Sequence, residues 1–106
     1  MRLVWTPEAI RTLEDIHYYL EVKQQAPIAA ANVITRLVNR APKILDAPLS
    51  GRRVPDYDDD KVREVLVNPY RIIYIVKAND VSILSVMHQR QLLPSREQLL
   101  SALDDD

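Results

Sequence analysis

The run Tyr70-Arg71-Ile72-Ile73-Tyr74-Ile75-Val76 constrains the fold more than any other part of the chain. Apart from Arg71 it is aliphatic or aromatic throughout, in the residue types that favour extended backbone. Side chains of a strand alternate between two faces. Apolar residues in both alternations therefore predict a strand buried on both faces, at the centre of a sheet.

Strand-like segments flank it. Lys61 to Val67 and Val81 to His88 are rich in Val and Ile, and Asn68-Pro69 and Ala78-Asn79-Asp80 supply the turns between them. Arg52 to Tyr57 reads as a short edge strand, because Pro55 cannot donate to a ladder. Gly51 is the only glycine, which predicts a special backbone angle there.

The N-terminal half has a different period. Arg2 to Trp5 is a short apolar strand. Thr6-Pro7 then gives a helix start, with a capping hydroxyl followed by a residue suited to the first helical position. Ala9, Ile10, Leu13, Ile16, Tyr19 and Leu20 recur every three or four residues, so one amphipathic helix is expected over Pro7 to Gln24. Ala26-Pro27 interrupts it. A second helix follows through Ala30, Val33, Ile34, Leu37, Val38, Ala41, Ile44 and Leu45, broken or kinked between Asn39 and Pro42. The short link makes the pair an antiparallel hairpin. Ser95 with Gln98 forms a capping-box pattern that opens a last short helix, whose apolar side is Leu99, Leu100 and Leu103. The expected fold class is α+β in two layers. An N-terminal strand precedes a helical hairpin packed on an antiparallel sheet, and a short C-terminal helix ends the chain. At 106 residues this is one domain, 1–106.

Composition narrows the function. Without cysteine there are no disulfides, thiolate chemistry or Cys-ligated zinc, which fits a cytoplasmic setting. No apolar segment at the N-terminus resembles a signal peptide or a membrane span. The net charge of -1 argues against a dominant phosphate-binding surface. The distribution is uneven: from Arg52 to Arg96 eight Lys/Arg stand against six Asp/Glu, and Asp104-Asp105-Asp106 closes the chain.

Three groups of side chains are candidates for function. In the first, a two-residue loop at Asn79-Asp80 pairs Ile75 with Leu84, Ile73 with Val86 and Arg71 with His88. Arg71, His88 and Arg90 then form a cationic cluster, with Lys61 and Arg63 nearby, suited to a phosphate or an acidic partner. A three-residue loop instead sets Arg71 against Met87. The plainer alternative to a functional cluster is that Arg71 pairs with Glu64 and His88 is an edge residue. The second group is the hairpin groove of Leu13, Ile16 and Leu20 against Val33 and Leu37. The third is Leu99, Leu100 and Leu103, with Leu92 and Leu93, which exceed what a chain end needs and are expected to meet a partner. His17 reads as a packing or surface residue, Trp5 as core, and Asp58-Asp59-Asp60 as a solvated turn. No spacing points to a metal or cofactor.

Taken in order, these segments resemble a known family. Trp5-Thr6-Pro7-Glu8-Ala9, Gly51-Arg52-Arg53-Val54-Pro55, Val62-Arg63-Glu64, Tyr70-Arg71-Ile72-Ile73-Tyr74 and His88-Gln89-Arg90 are similar to the RelE/ParE toxin superfamily, closest to ParE-type toxins. The resemblance implies the toxin of a type II toxin–antitoxin pair, held in a hetero-oligomer by a cognate antitoxin that wraps a helix or an extended segment over the groove and the sheet edge. ParE-like members act on DNA gyrase and have no hydrolytic site. RelE-like members cut messenger RNA on the ribosome. For a nuclease the resemblance implies Arg71 as the phosphate-stabilising arginine, with His88, Arg90, Arg63 and Lys61. Against that pattern, Gln89 stands where an arginine is wanted, and no tyrosine follows Tyr74. A homologue that only binds antitoxin is a third expectation.

Overall fold

The computed structural model describes residues 1–104. The acidic Asp105 and Asp106 lie outside them. Its centre is a five-stranded sheet in the order β1-β5-β4-β3-β2. The strands are β1 (Arg2–Trp5), β2 (Arg52–Arg53), β3 (Val62–Val67), β4 (Tyr70–Val76) and β5 (Asp80–His88). β4 is the middle strand, and Tyr70 to Ile75 are all buried. β1 lies parallel to β5, whereas β2 to β5 are antiparallel. The sheet is therefore mixed rather than purely antiparallel. The chain leaves β1 through a helical hairpin and re-enters the sheet at its far edge as β2, antiparallel to β1; three further reversals bring β5 beside β1 in the parallel sense.

Helix α1 (Pro7–Tyr18) begins as its sequence requires. The Thr6 hydroxyl accepts the Ala9 N–H at 3.1 Å and donates to the Ile83 carbonyl at 2.8 Å. One side chain thus caps the helix and ties its start to β5. The last turn widens over Tyr19–Lys23, where the Gln24 N–H reaches back five residues to the Tyr19 carbonyl at 2.9 Å. Helix α2 (Pro27–Arg40) tightens into a 3-10 segment, Ala41–Asp46, as expected at Pro42. Ala9, Leu37, Ala41 and Ile44 pack on Ile72, Tyr74 and Ile83 to form one core. The other sheet face carries a second core. There Val54, Tyr57, Leu99 and Ala102 cover Ile73, Ile75, Leu84 and Met87. Helix α3 (Arg96–Leu100) has the capping box read from Ser95 and Gln98.

The strand register corrects one expectation. The β4–β5 loop consists of Ala78-Asn79, because the Lys77 N–H donates to the Asp80 carbonyl at 2.8 Å. Val76 then faces Val81. A bulge between Ile73 and Tyr74, opposite Leu84, shifts the pairing by one residue. Arg71 consequently faces Met87, and Tyr70 faces His88. The expected pairs of Ile75 with Leu84, Ile73 with Val86 and Arg71 with His88 do not form.

The single glycine is needed for space rather than for an unusual angle. Gly51 has φ −63°. A Cβ there would lie 2.1 Å from the Tyr74 hydroxyl oxygen. Tyr74 is fully buried and donates to the Pro48 carbonyl at 2.7 Å, so the loop must pass directly over it.

Candidate functional site

Arg71 points into the second core, away from the helical hairpin. Its guanidinium lies 3.5 Å from Glu64 Oε2 and donates to the Gln91 carbonyl at 3.3 Å. Glu64 has a side chain with no solvent exposure, and Arg52 holds its other oxygen from the sheet edge. The result is an Arg52–Glu64–Arg71 array in which Arg52 is largely exposed, Arg71 is nearly buried and Glu64 is fully buried. Burial of a carboxylate is costly unless cations and hydrogen bonds compensate it, and β2 and β4 place the two compensating groups on either side of it. Arg71 Nε is buried and without a hydrogen-bond partner. Tyr57 lies over this region and donates to the Pro94 carbonyl at 2.5 Å. Burial is the main cause of its raised pKa, and the nearby Arg71 charge partly offsets it.

The other four cations do not join Arg71. His88 stands beside Tyr70 with the rings edge to face, 5.4 Å apart, on the helix-covered side. Its Nδ1 accepts the Arg90 N–H at 3.0 Å. Arg90 itself is exposed in the turn after β5. Arg63 pairs with Tyr74, also toward the helices. It is spent on backbone, donating to the carbonyls of Asp60, Leu49 and Gly51 at 2.8, 3.3 and 3.2 Å. Lys61 is exposed before β3. Alternation along the strands thus separates Arg71 from His88 and from Arg63, and the shared cationic cluster does not form.

A cleft of about 560 Å³ lies where β1 ends and β5 continues, lined by Thr12, Ile16, Tyr19, Tyr70, Val86 and His88 among others. Past Trp5 no strand pairs with β5 on this side, and side chains close the edge instead. The Val86 N–H donates to the Thr12 hydroxyl at 3.0 Å, and that hydroxyl donates to the Ala9 carbonyl at 2.7 Å. Gln91 Oε1 accepts the His88 N–H at 2.7 Å. Sequence reading passed over Thr12. Its signal was a hydroxyl among the apolar positions of α1, which demands a partner.

The residues assigned to partner contact divide by burial. Leu37 is fully buried, Leu13, Ile16 and Val33 pack on the helix-side core, and Leu20 is half-buried. Leu99 is buried, and Leu100 and Leu103 pack against the second core. Most of this apolar surface is used inside the chain. Among the described residues, Ile10, Tyr18, Tyr19, Val22, Ile28 and Val38 of the hairpin stay exposed, and so does Leu92, at 94 %. Ile10, Tyr18 and Ile34 line an outer cleft of about 650 Å³ between the helices, which Leu13 also reaches. His17 pairs with Glu21 at 3.2 Å. Asp59 holds Arg96 at 2.6 Å, and Arg53 lies 3.0 Å from Asp60. Among the described residues no group of His, Asp or Glu is arranged to hold a metal, and no helix is long and apolar enough to cross a membrane.

Comparison with known proteins gives consistent results. The family described as "ParE toxin of type II toxin-antitoxin system, parDE" matches residues 3–93. The protein named "Putative toxin Y4kP" of Sinorhizobium fredii is 34 % identical over 96 residues, covering 88 % of this chain and 93 % of its own. A solved structure titled "Chromosomal ParDE TA system from P. aeruginosa" superposes with a TM-score of 0.67 at 23 % identity, covering 83 % of this chain and 95 % of that one.

Proposed function

The chain belongs to the ParE toxin family of type II toxin–antitoxin systems, and from that premise we propose that it inhibits DNA gyrase in the cytoplasm without hydrolysing nucleic acid itself. The burial of Arg71 against Glu64 carries this reading. A nuclease needs its arginine free, aimed at the phosphate that gains charge in the transition state. Here that position is occupied by a carboxylate of the chain's own, and the remaining cations stand apart from it, His88 and Arg63 toward the helical hairpin and Arg90 and Lys61 exposed beside the strand ends. A net charge of -1 supports a protein target over a long phosphate backbone.

The partner of this toxin is a cognate antitoxin. We place its helix on the outer hairpin cleft, about 650 Å³, where Ile10, Leu13, Tyr18 and Ile34 offer an apolar floor beside Glu14, Asp15 and His17. Gyrase acting on relaxed plasmid provides the test. Added toxin is expected to stop supercoiling and to accumulate cleaved DNA, and prior mixing with antitoxin restores activity. Normal supercoiling together with cutting of ribosome-bound message would overturn the reading.

A further inference from the structure

The hairpin carries opposite charge in two exposed places. Its outer cleft is bordered by Glu14 and Asp15. Its closed end, where α1 passes into α2, is cationic. Helix α1 runs alongside β5, since the Thr12 hydroxyl meets the Val86 N–H and Tyr19 lines one cleft with Tyr70 and His88. The link between the helices therefore sits at the end of the sheet where β3 turns into β4 and β5 leaves. Arg36 comes down from α2 to that turn, and its Nη2 donates to the Asn68 carbonyl at 3.0 Å. The Gln89 N–H donates to the Pro69 carbonyl at 2.9 Å, which brings the exit of β5 beside the same turn. Arg90 follows, with its N–H held by His88 Nδ1.

Lys23, Arg36 and Arg90 are exposed at this end. Among the described residues they make no ion pair, whereas Arg2, Arg11, Arg52, Arg53, Arg71 and Arg96 all do. Nothing in the chain competes for them. No Asp or Glu occurs in α2, in residues 65–79 or in residues 81–96. Glu21 is paired with His17. Asp58 and Asp60 stand before β3, at the opposite end of a six-residue strand, roughly 20 Å away. Apolar side chains lie open among the cations: Tyr19 is 52 % exposed and Val22 48 %, and Leu92 follows the turn that carries Arg90.

We propose that this end of the molecule docks on the target, with Tyr19, Val22 and Leu92 against an apolar patch of the target protein and Lys23, Arg36 and Arg90 against acids around it. The proposal rests on the gyrase reading above. Charge separates this surface from the outer cleft given to the antitoxin. A partner surface that complements acids there is repelled by the cations here, so the two partners use different faces. Exposed Arg and Tyr beside aliphatic side chains suit the centre of a protein interface. A nucleic acid suits it less. Three cations neutralise too few phosphates to hold it, and Val22 and Leu92 gain nothing from a phosphate chain.

The test uses the full chain, the cognate antitoxin and gyrase with and without DNA. The triple variant K23E/R36E/R90E is expected to need about tenfold more protein, or worse, for half-inhibition of supercoiling, as like-charge contacts imply. Its binding to gyrase free of DNA should weaken to match and depend less on salt than that of wild type. K23Q/R36Q/R90Q and Leu92→Ser, both matched to wild type by thermal melt, should show smaller losses in the same direction. Antitoxin affinity should stay unchanged in all three, and Lys43→Glu, past the other end of α2, should inhibit as wild type does. Full inhibition by every one of these variants overturns the proposal. An equal loss of antitoxin affinity also overturns it, since the surface would then belong to the antitoxin. So does wild-type protein that binds a duplex oligonucleotide through these cations and does not bind gyrase free of DNA. Wild-type protein that leaves supercoiling untouched refutes the gyrase reading itself.

Discussion

Glu64 has the most at stake of any single side chain. It is an acid at an inward strand position, its charge compensated by Arg71 from inside and Arg52 from the edge. Removing one partner of a buried pair leaves the other charged and desolvated. Glu64→Ala is therefore expected to cost about 3–5 kcal/mol in urea unfolding. The double change Glu64→Leu with Arg71→Leu should recover much of that loss, since no buried charge remains. Arg71→Ala lowers stability as well, so toxicity lost in that variant reports folding and not chemistry. Gly51 is the opposite case, a position where nothing fits. Gly51→Ala drives a methyl group into the Tyr74 ring and should lower Tm by several degrees. Tyr74→Phe in that background removes the closest atom and should restore part of the loss.

At the scale of elements, the C-terminal segment is held by few attachments. Leu99 and Ala102 supply the apolar contact, Ser95 and Gln98 cap the helix, and Arg96 binds Asp59 across the surface at 2.6 Å. The Arg96 hydrogen bond holds the Asp59 carboxyl below the usual carboxylate range, with help from the Lys61 N–H. Its folded pKa thus lies below the unfolded value of about 3.9. The contribution is present above that pH and is lost as pH falls through the folded value. The protection factors of the Leu99 and Ala102 amides, taken against the intrinsic rate at each pH, should fall below about pH 4, before those of β4 do so. Asp59→Asn should bring that weaker protection to neutral pH.

Across the whole molecule, both cores share the strands β4 and β5, so neither can form without the sheet. The radius of gyration of 13.4 Å matches a compact domain of this length. One cooperative transition is expected. Fluorescence of Trp5, which packs on the helix side, should coincide with far-UV circular dichroism, and separate midpoints would show that the cores melt independently. Burial raises the pKa of Tyr57, Tyr70 and Tyr74. A raised pKa favours the folded state while the phenol stays neutral, so stability should decline as pH rises past about 10, where unfolded tyrosines ionise. Absorbance of tyrosinate should lag in the native protein and appear together with unfolding.

The sequence by itself determined the elements and their ordering. Thr6-Pro7, Ala26-Pro27, Pro42 and Ser95 with Gln98 act through neighbouring backbone, and the apolar run of β4 required a central strand, whatever lay around it. It also determined the family, whose motifs run in order along the chain. The tertiary structure decided the site. Whether Arg71 meets His88 depends on which two residues turn the hairpin and on a bulge at Leu84, and one residue of slip moves a side chain to the other face. Which leucines face water depended likewise on what covers the sheet. Leu37 and Leu99 carry the same periodic signal as Ile10 and Tyr19, yet the first two are buried and the latter two are open. Local propensity acts over a few residues, whereas burial depends on contacts between segments far apart in the chain, which no short stretch of sequence encodes.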